Sequence, residues 1–349
     1  MIYFDNAAST PILDCVWDYL RGSPYANPSS SHAAGRTAKT VLELSRTAIA
    51  DCLGCLPSEV YFTSGATEAC NWMVKCLRME SDGIIYNGTV HHAVSEAIYA
   101  YSSPNAPRAT SSAILSLVNN ETGQISDVDA FRRKNRPKYI GIDATAAVGH
   151  VPVGFKALGA DYMAFGGHKF GAPKGIGALI VREGCPIAPM ICGGAQERGM
   201  RGGTTAVPLA NAMAAALAWR VKNMADNEEN ISRVRDQFIF DLAQLGVDHI
   251  VNLNDGHRQF ADHILSVRFP GVYGASLAAA LSENGVMVST GSACSSGDNA
   301  ASVNLMASGL TEQEALETIR LSFDWYNTAE EAAEAARIIA DLVPSLRRG

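Results

Sequence analysis

Residues 160–182 read ADYMAFGGHKFGAPKGIGALIVR, and this stretch organises the interpretation of the whole chain. Its two apolar runs, residues 162–165 and 176–181, predict buried strands on either side of a glycine-rich turn. The turn carries His168 and Lys169. A lysine held against apolar strands loses hydration, which lowers its pKa and makes its amine nucleophilic, as a Schiff-base lysine must be. A hairpin with an exposed lysine at its tip explains the same stretch equally well.

The composition indicates a large globular chain and argues against nucleic acid or a membrane as the main partner. The 349 residues are 47% hydrophobic and 18% charged, which suffices for a sizeable core and two domains. The net charge is −7, and no block of lysine and arginine indicates a nucleic-acid surface. We expect a cytoplasmic protein, because no apolar run reaches membrane-spanning length and the N-terminus does not read as a signal peptide.

Eight cysteines occur, at positions 15, 52, 55, 70, 76, 185, 192 and 294. In a cytoplasmic chain we expect thiols rather than disulfides. Cys52 and Cys55 form a single C-x-x-C pair, but no second pair or histidine cluster accompanies it. We therefore expect no metal site.

The alternation of strand-like and helical runs predicts an α/β fold with a mainly parallel sheet. Strands are predicted at residues 59–63, 83–87, 113–118, 139–142, 162–165 and 176–181. Beyond about residue 230 the pattern changes to a smaller α+β arrangement. We place a large domain at 14–230 and a small domain at 1–13 with 231–349, the latter carrying Cys294.

This chain contains a candidate residue or turn for each of five requirements of pyridoxal phosphate (PLP) chemistry. The cofactor needs a lysine for its aldehyde, a carboxylate for its ring nitrogen and a flat side chain against the ring. It also needs an anion cup for its phosphate, and its substrate needs a cation for the carboxylate. The candidates, in that order, are Lys169, Asp143, His91, the turn at 64–68 and Arg320. For the turn alone, an ordinary capped helix with Ser64 as its N-cap is the better explanation.

Ordered blocks along nearly the whole chain resemble the cysteine desulfurases of the NifS/IscS group, within the class V aminotransferase family. The blocks are YFDNAASTP, ANPSSSH, FTSGATEACN, HHAV, VNNETG, DATAAVGHVPV, GGHKFGAPKGIGALIVR, GGAQERGMRGGT, STGSACSS and ETIRLSF. So many blocks in one order are far more specific than any single motif. The resemblance implies a PLP-dependent transferase of fold type I, with a mainly parallel sheet of the seven-stranded type.

The resemblance also implies which residues bind the cofactor. Lys169 would hold the PLP aldehyde, and Asp143 would pair with the protonated ring nitrogen. His91 would stack on the ring and help to move protons. Ala66 and Thr67 would bind the phosphate.

The remaining implied roles concern the neighbouring subunit, the substrate and the nucleophile. His168 precedes the cofactor lysine as in the family. Thr204 would reach the phosphate of a second subunit, which implies a homodimer with shared active sites. Asn120 and Arg320 would hold the carboxylate of L-cysteine. Cys294 would attack the substrate sulfur as a thiolate, because a thiol is a poor nucleophile.

The expected reaction converts L-cysteine into L-alanine and leaves a persulfide on Cys294 for a sulfur-acceptor protein, such as an iron–sulfur scaffold or a thiolation enzyme. Another PLP enzyme of the same fold is an alternative: a selenocysteine lyase, a cysteine or cystine lyase, or an aminotransferase. Lys169 and Asp143 would serve all of these, whereas Cys294 favours the desulfurase. A non-catalytic sulfur-trafficking scaffold is the alternative from another class, and retention of both Lys169 and Cys294 argues against it.

Three positions depart from the family pattern. Ala146 stands where the family usually has a glutamine that bonds the PLP phenolic oxygen. Gly166 stands where a serine often contacts the phosphate, and Trp325 lies near the place of a further arginine. We expect either weaker PLP retention or an altered pKa of the lysine–PLP aldimine compared with typical relatives, because each of the first two changes removes a hydrogen bond to a charged group.

Overall fold

The structure is a computed structural model, and it describes residues 1–81, 83–86, 88–101, 111–253, 259–290 and 300–347. Cys294 lies outside the described residues. Its assignment as the nucleophile therefore stays a prediction from the sequence.

The α-helices of the described residues follow the predicted order. They are α1 (Val16–Gly22), α2 (Ala33–Leu53), α3 (Ala66–Glu80), α4 (His92–Ala100), α5 (Val128–Asn135), α6 (Val207–Lys222), α7 (Met224–Gln244), α8 (Gly274–Glu283), α9 (Val303–Ala307), α10 (Glu312–Leu316) and α11 (Ala329–Leu346). α7 already begins at Met224, close behind the end of α6, because residues 224–230 are mostly good helix formers. The short helices α1, α5 and α9 were not predicted.

The strands of the described residues form three sheets. They are β1 (Ile2–Tyr3), β2 (Val60–Thr63), β3 (Gly83–Tyr86), β4 (Ser111–Ser116), β5 (Ile140–Asp143), β6 (Tyr162–Gly166), β7 (Gly177–Val181), β8 (Ile250–Val251), β9 (Ile264–Arg268), β10 (Val286–Met287) and β11 (Thr318–Ser322). The largest sheet has the order β2-β7-β6-β5-β4-β3. The α/β class is confirmed, but these residues supply six strands of that sheet, not the seven that the resemblance implies.

The large sheet is mixed because β7 runs antiparallel to both of its neighbours, β6 and β2. The other adjacent pairs, from β3 to β6, are parallel. Only residues 167–176 join β6 to β7, which is too short for a parallel crossover, so the chain returns antiparallel. The hairpin interpretation of this stretch was therefore right about strand direction. It was wrong about the exposed tip, since Lys169 is partly buried.

The chain divides into two compact units. One unit, which we call the sheet unit, contains residues 11–117 and 127–222 and holds the six-stranded sheet. The other, the terminal unit, contains residues 1–10, 118–126 and 223–349.

Each unit has its own apolar core. In the sheet unit, α3 buries Trp72, Met73 and Leu77 together with β6 residue Tyr162. In the terminal unit, the sheet β11-β9-β8 packs with α7, α8 and α11 through a cluster that includes Phe4 and Phe323. Alternate residues of β11 enter this core, namely Ile319 and Leu321. The intervening residue Arg320 therefore points to the opposite face of the strand.

Candidate active site

Lys169 lies near the start of the stretch that joins β6 to β7. A single turn of 3₁₀-helix, Gly167–Lys169, follows β6 directly. The Lys169 carbonyl oxygen lies 2.8 Å from Nε2 of His150, which fixes the backbone of the turn. The neighbouring His168 is held neutral, because burial and the charges of Lys169 and Lys174 lower its pKa to about 4.

Asp143 is the last residue of β5 and is buried, with 7% of its surface exposed. Its Oδ1 atom accepts hydrogen bonds from Thr145 N at 3.0 Å and from Thr145 Oγ1 at 2.5 Å. Two donors on one oxygen hold the carboxylate in one orientation. Asp143 is therefore suited to pair with a protonated ring nitrogen.

His91 is the N-cap residue of α4, and its Nδ1 atom accepts a hydrogen bond from Ala93 N at 3.1 Å. The neutral imidazole then carries its proton on Nε2. Burial is the largest cause that lowers the pKa of His91; the Lys169 and His92 charges act in the same direction, and Asp143 opposes them. The structure thus brings His91, Asp143 and Lys169 into one electrostatic environment.

The N-terminus of α3 forms the expected cup. Gly65 is its N-cap, and Ala66 and Thr67 begin the first turn, whose N–H groups have no partner within the helix. Ser64 is not the N-cap; its backbone N–H donates to Glu68 Oε2 at 2.7 Å. Burial would raise the pKa of Glu68, but hydrogen bonds from Arg201 and Ser64 outweigh it and lower that pKa.

The end of β6 lies directly against this cup. A Cβ atom at Gly166 would lie 3.1 Å from Ala66 N, and one at Gly177 would lie 2.7 Å from the backbone of Gly65. Because Gly166 and Gly177 have no side chains, the space in front of the backbone N–H groups of the first turn of α3 stays free. An anion cup adjoining the Lys169 turn, beside a buried carboxylate, is the donor set that PLP requires, so these residues fit the cofactor.

Thr204 lies in the same unit but is exposed on the single chain. Its segment is tethered to the cup, because Arg201 donates to Glu68 at 2.9 Å and 3.1 Å. The proposed contact of Thr204 with a second subunit stays a prediction.

The two predicted substrate residues lie together in the terminal unit. Arg320 Nη1 donates to the Asn120 carbonyl oxygen at 2.8 Å. Arg320 Nη2 donates to Asp5 Oδ1, also at 2.8 Å. The Arg320 side chain is only 8% exposed, and its Nε atom has no hydrogen-bond partner among the described residues.

Three positioning contacts were not predicted from the sequence, although each involves a residue of a motif block quoted above. Asp5 pairs with Arg320, as described above. Asn71 Nδ2 donates to Thr67 O at 2.9 Å and to Ala93 O at 3.3 Å, which ties the start of α3 to the start of α4. Glu121 accepts from Ser302 Oγ and Asn304 Nδ2 at the start of α9. The sequence signal that could have identified these contacts was a polar residue, without an assigned role, within a block that matches the family.

The family of the chain follows from comparison with known proteins. The family model described as Aminotransferase class-V matches residues 2–105 and 105–334, and the chain belongs to this family. Enzymes of this family depend on PLP.

Relatives named as cysteine desulfurases align over nearly the whole chain. The protein named "Cysteine desulfurase IscS" from Methanosarcina thermophila is 32% identical, and the alignment covers 99% of this chain and 93% of the relative. The "IscS-like cysteine desulfurase" of Mycobacterium tuberculosis is 31% identical over 100% of this chain and 98% of the relative.

A solved structure titled "NIFS-LIKE PROTEIN" superposes with a TM-score of 0.88 at 30% identity, covering 99% of this chain and 100% of the other. The structure titled "SspA in complex with cysteine" has a TM-score of 0.78 at 28% identity, covering 94% and 100%. The predicted fold is thereby confirmed.

Among the described residues, no helix is both long and apolar enough to cross a membrane.

Proposed function

We propose that this chain is a PLP-dependent cysteine desulfurase, which takes sulfur from L-cysteine and releases L-alanine. One arrangement supports the proposal. His91 interacts electrostatically with Asp143 and Lys169, and strand β6, which leads directly into the Lys169 turn, ends against the N-terminus of α3. The names of the aligned relatives and the cysteine complex of SspA support the choice of substrate.

The residues of the sheet unit would hold the cofactor. Lys169 offers the amine for the aldehyde, Asp143 the carboxylate for the ring nitrogen, and Ala66 and Thr67 the phosphate donors. When bound, PLP supplies an electron sink that weakens bonds at the substrate α-carbon and β-carbon. His91 lies at the same site with its proton on Nε2, where it can move a proton as a neutral imidazole.

We assign the sulfur transfer to Cys294. Its thiolate attacks the sulfur of L-cysteine, so a sulfur–sulfur bond forms and the substrate carbon–sulfur bond breaks. The electron pair of that bond passes to the substrate carbon, which takes up a proton. Cys294 is left as a persulfide and the amino acid as alanine.

The pKa values of other cysteines support this choice of nucleophile. Burial raises the pKa of Cys55 to about 12 and those of Cys76 and Cys185 to about 11. Burial also raises the pKa of Cys70 well above its usual value, although Cys70 shares the environment of Asp143 and Lys169. These four thiols stay protonated at neutral pH, which makes them poor nucleophiles.

Four further elements complete the proposal. We infer that Arg320 and Asn120 hold the substrate carboxylate, and that the enzyme is a homodimer in which Thr204 reaches the neighbouring phosphate site. The persulfide passes to a sulfur-acceptor protein of iron–sulfur cluster or thio-cofactor assembly. We place the enzyme in the cytoplasm.

The test is release of alanine and sulfide from L-cysteine in the presence of a reductant, for the wild type and Cys294→Ala. We expect equimolar products from the yellow wild type, and loss of turnover with retention of colour in the variant. Pyruvate in place of alanine, or activity that survives the substitution, would assign the chain to a lyase instead. A yellow protein without turnover on L-cysteine would refute the substrate assignment.

A further inference from the structure

We propose that Asp5 is the resident counter-ion of Arg320 and lowers the affinity of the substrate site for simple anions. This inference rests on the proposed function, since it gives Arg320 the carboxylate of an amino-acid substrate. Asp5 belongs to the YFDNAASTP block, to which no role was assigned from the sequence.

The ion pair is well placed to set the charge of the site. Arg320 is 8% exposed and Asp5 is 23% exposed at the side chain, and the Nη2–Oδ1 distance is 2.8 Å. A buried guanidinium without a paired charge is strongly unfavourable, so Asp5 keeps Arg320 stable in the absence of substrate. An incoming carboxylate therefore meets a cation whose charge is already largely balanced.

The backbone around Asp5 keeps its carboxylate in place. Ser322 N donates to Phe4 O at 2.7 Å, and Asn6 N donates to Ser322 O at 3.4 Å, so both neighbours of Asp5 are paired with β11. Phe4 is fully buried in the core of the terminal unit. Because Arg320 lies two residues before Ser322 on the same strand, Asp5 and Arg320 share one rigid frame.

Arg320 also retains a donor for the substrate. Nη1 contacts Asn120 O and Nη2 contacts Asp5, whereas the buried Nε has no hydrogen-bond partner among the described residues. Nη1 and Nη2 each carry two N–H groups, and the Asn120 and Asp5 contacts use one of each, so the second N–H of each is the donor that a substrate carboxylate would take. The substrate carboxylate would share Arg320 with Asp5 rather than replace it.

The chemical consequence is selectivity. A simple anion gains little from a neutralised guanidinium, because the charge of Asp5 repels it. An amino acid brings a second attachment through its own amino group, which compensates for the weaker carboxylate contact. Asp5 thus acts as a positioning and specificity residue for Arg320.

The test compares the PLP-loaded wild type with Asp5→Asn, which keeps the shape of the side chain and removes its charge. We expect the KM for L-cysteine to fall about tenfold, corresponding to the loss of one repulsive charge, with the effect on KM rather than on kcat. Acetate should become a competitive inhibitor of the variant at concentrations that leave the wild type unaffected. An unchanged or raised KM, without inhibition by acetate, would overturn the proposal.

Two further variants serve as controls. Asp5→Glu restores the charge and should restore resistance to acetate. Asp248→Asn removes an exposed partner of Arg347, 3.5 Å away in the same unit, and should change neither quantity. Should Asp5→Asn fail to fold, Asp5→Ser carries the same expectations.

Direct binding separates this proposal from the proposed function. Calorimetric titration with L-alanine or acetate reports the carboxylate site without any turnover. If the wild type releases no sulfide, the desulfurase proposal fails, yet tighter binding of both ligands by Asp5→Asn would still support the role of Asp5. Equal or weaker binding by the variant would refute that role whatever the turnover.

Discussion

His168 and His91 both have lowered pKa values, and beside burial the charge of Lys169, the proposed cofactor lysine, contributes to both. His168 is adjacent to Lys169 and also senses Lys174. His91 senses Lys169 and His92, but Asp143 partly compensates. At neutral pH both rings are therefore neutral, which leaves Nε2 of His91 as a proton donor and Nδ1 as the acceptor of the α4 cap.

Replacing His91 tests its proposed role in proton transfer. His91→Ala should lower kcat by about 10²- to 10⁴-fold, the range typical of a lost acid–base group. His92→Ala is the matched control, because His92 is the exposed neighbour with its ring centroid 6.2 Å away. Steady-state alanine release measures both variants. Equal effects of the two substitutions would remove His91 from the mechanism.

His168 should make stability depend on pH. Its pKa is about 4 in the folded protein against 6.5 for an unperturbed histidine, so below pH 6.5 the unfolded chain binds the proton first. Stability is consequently lost as the pH falls from about 6.5 towards 4. His168→Gln should show a shallower loss in urea unfolding across this window. Parallel pH profiles of the wild type and the variant would contradict the prediction.

At the scale of elements, the approach of β7 to the start of α3 depends on Gly177. A methyl group there would lie 2.6 Å from Phe165 O and 2.7 Å from Gly65 C, and both are backbone atoms that cannot rotate away. The distance between the strand and the cup is therefore set by the absence of a side chain. The same contact positions the N–H groups proposed to hold the phosphate.

Gly177→Ala should weaken both the fold and the cofactor site. We expect a loss of about 1–3 kcal/mol in the free energy of unfolding, as for other overpacked positions, together with weaker PLP binding by absorbance titration. Gly22→Ala, in α1, is the control, since no atom lies within 4 Å of its added Cβ. Wild-type stability and PLP affinity in Gly177→Ala would show that the backbone has room to move.

A second element-scale feature is the buried ion pair between α2 and the segment that leads to Thr204. Arg46 donates to both carboxylate oxygens of Glu197 at 2.9 Å, and the side chains are 3% and 2% exposed. Glu197 also accepts from Phe62 N on β2 at 2.9 Å. Glu197 and Arg198 have positive φ values of 45° and 58°, so this network stabilises an unfavourable backbone conformation.

Glu197→Ala should destabilise the protein by about 3–5 kcal/mol, because it leaves the Arg46 charge buried without its partner. Glu43→Ala removes another carboxylate, 3.2 Å from the same arginine but 53% exposed. That control should cost less than about 1 kcal/mol. Urea unfolding measures both, and similar losses would mean that Arg46 is not sensitive to the burial of its partner.

At the scale of the whole molecule, the exposed position of Thr204 motivates the proposed homodimer. Light scattering should give twice the 37.0 kDa mass of the chain. Lys169→Ala and Thr204→Glu should each be inactive alone, the second because its charge repels the phosphate of the neighbouring site. Mixed dimers contain one site with both residues intact and should regain activity. A monomer, or no recovery on mixing, would contradict shared sites.

The sequence by itself determined the α/β class and the order of most strands of the large sheet, and it predicted the grouping of Lys169, Asp143 and His91. These follow from local patterns, because the carboxyl ends of neighbouring parallel strands meet at one edge of a sheet. The motif blocks likewise indicated the family from end to end.

Only the tertiary structure decided the direction of β7 within the sheet, and the partners of the buried charges. Asp5 meets Arg320 across 315 positions of sequence, and Glu68 meets Arg201 across 133. Periodicity reports which face of an element is buried, but it does not specify which distant charge lies opposite. That choice depends on how the elements pack, since a buried ion is stable only beside its counter-charge.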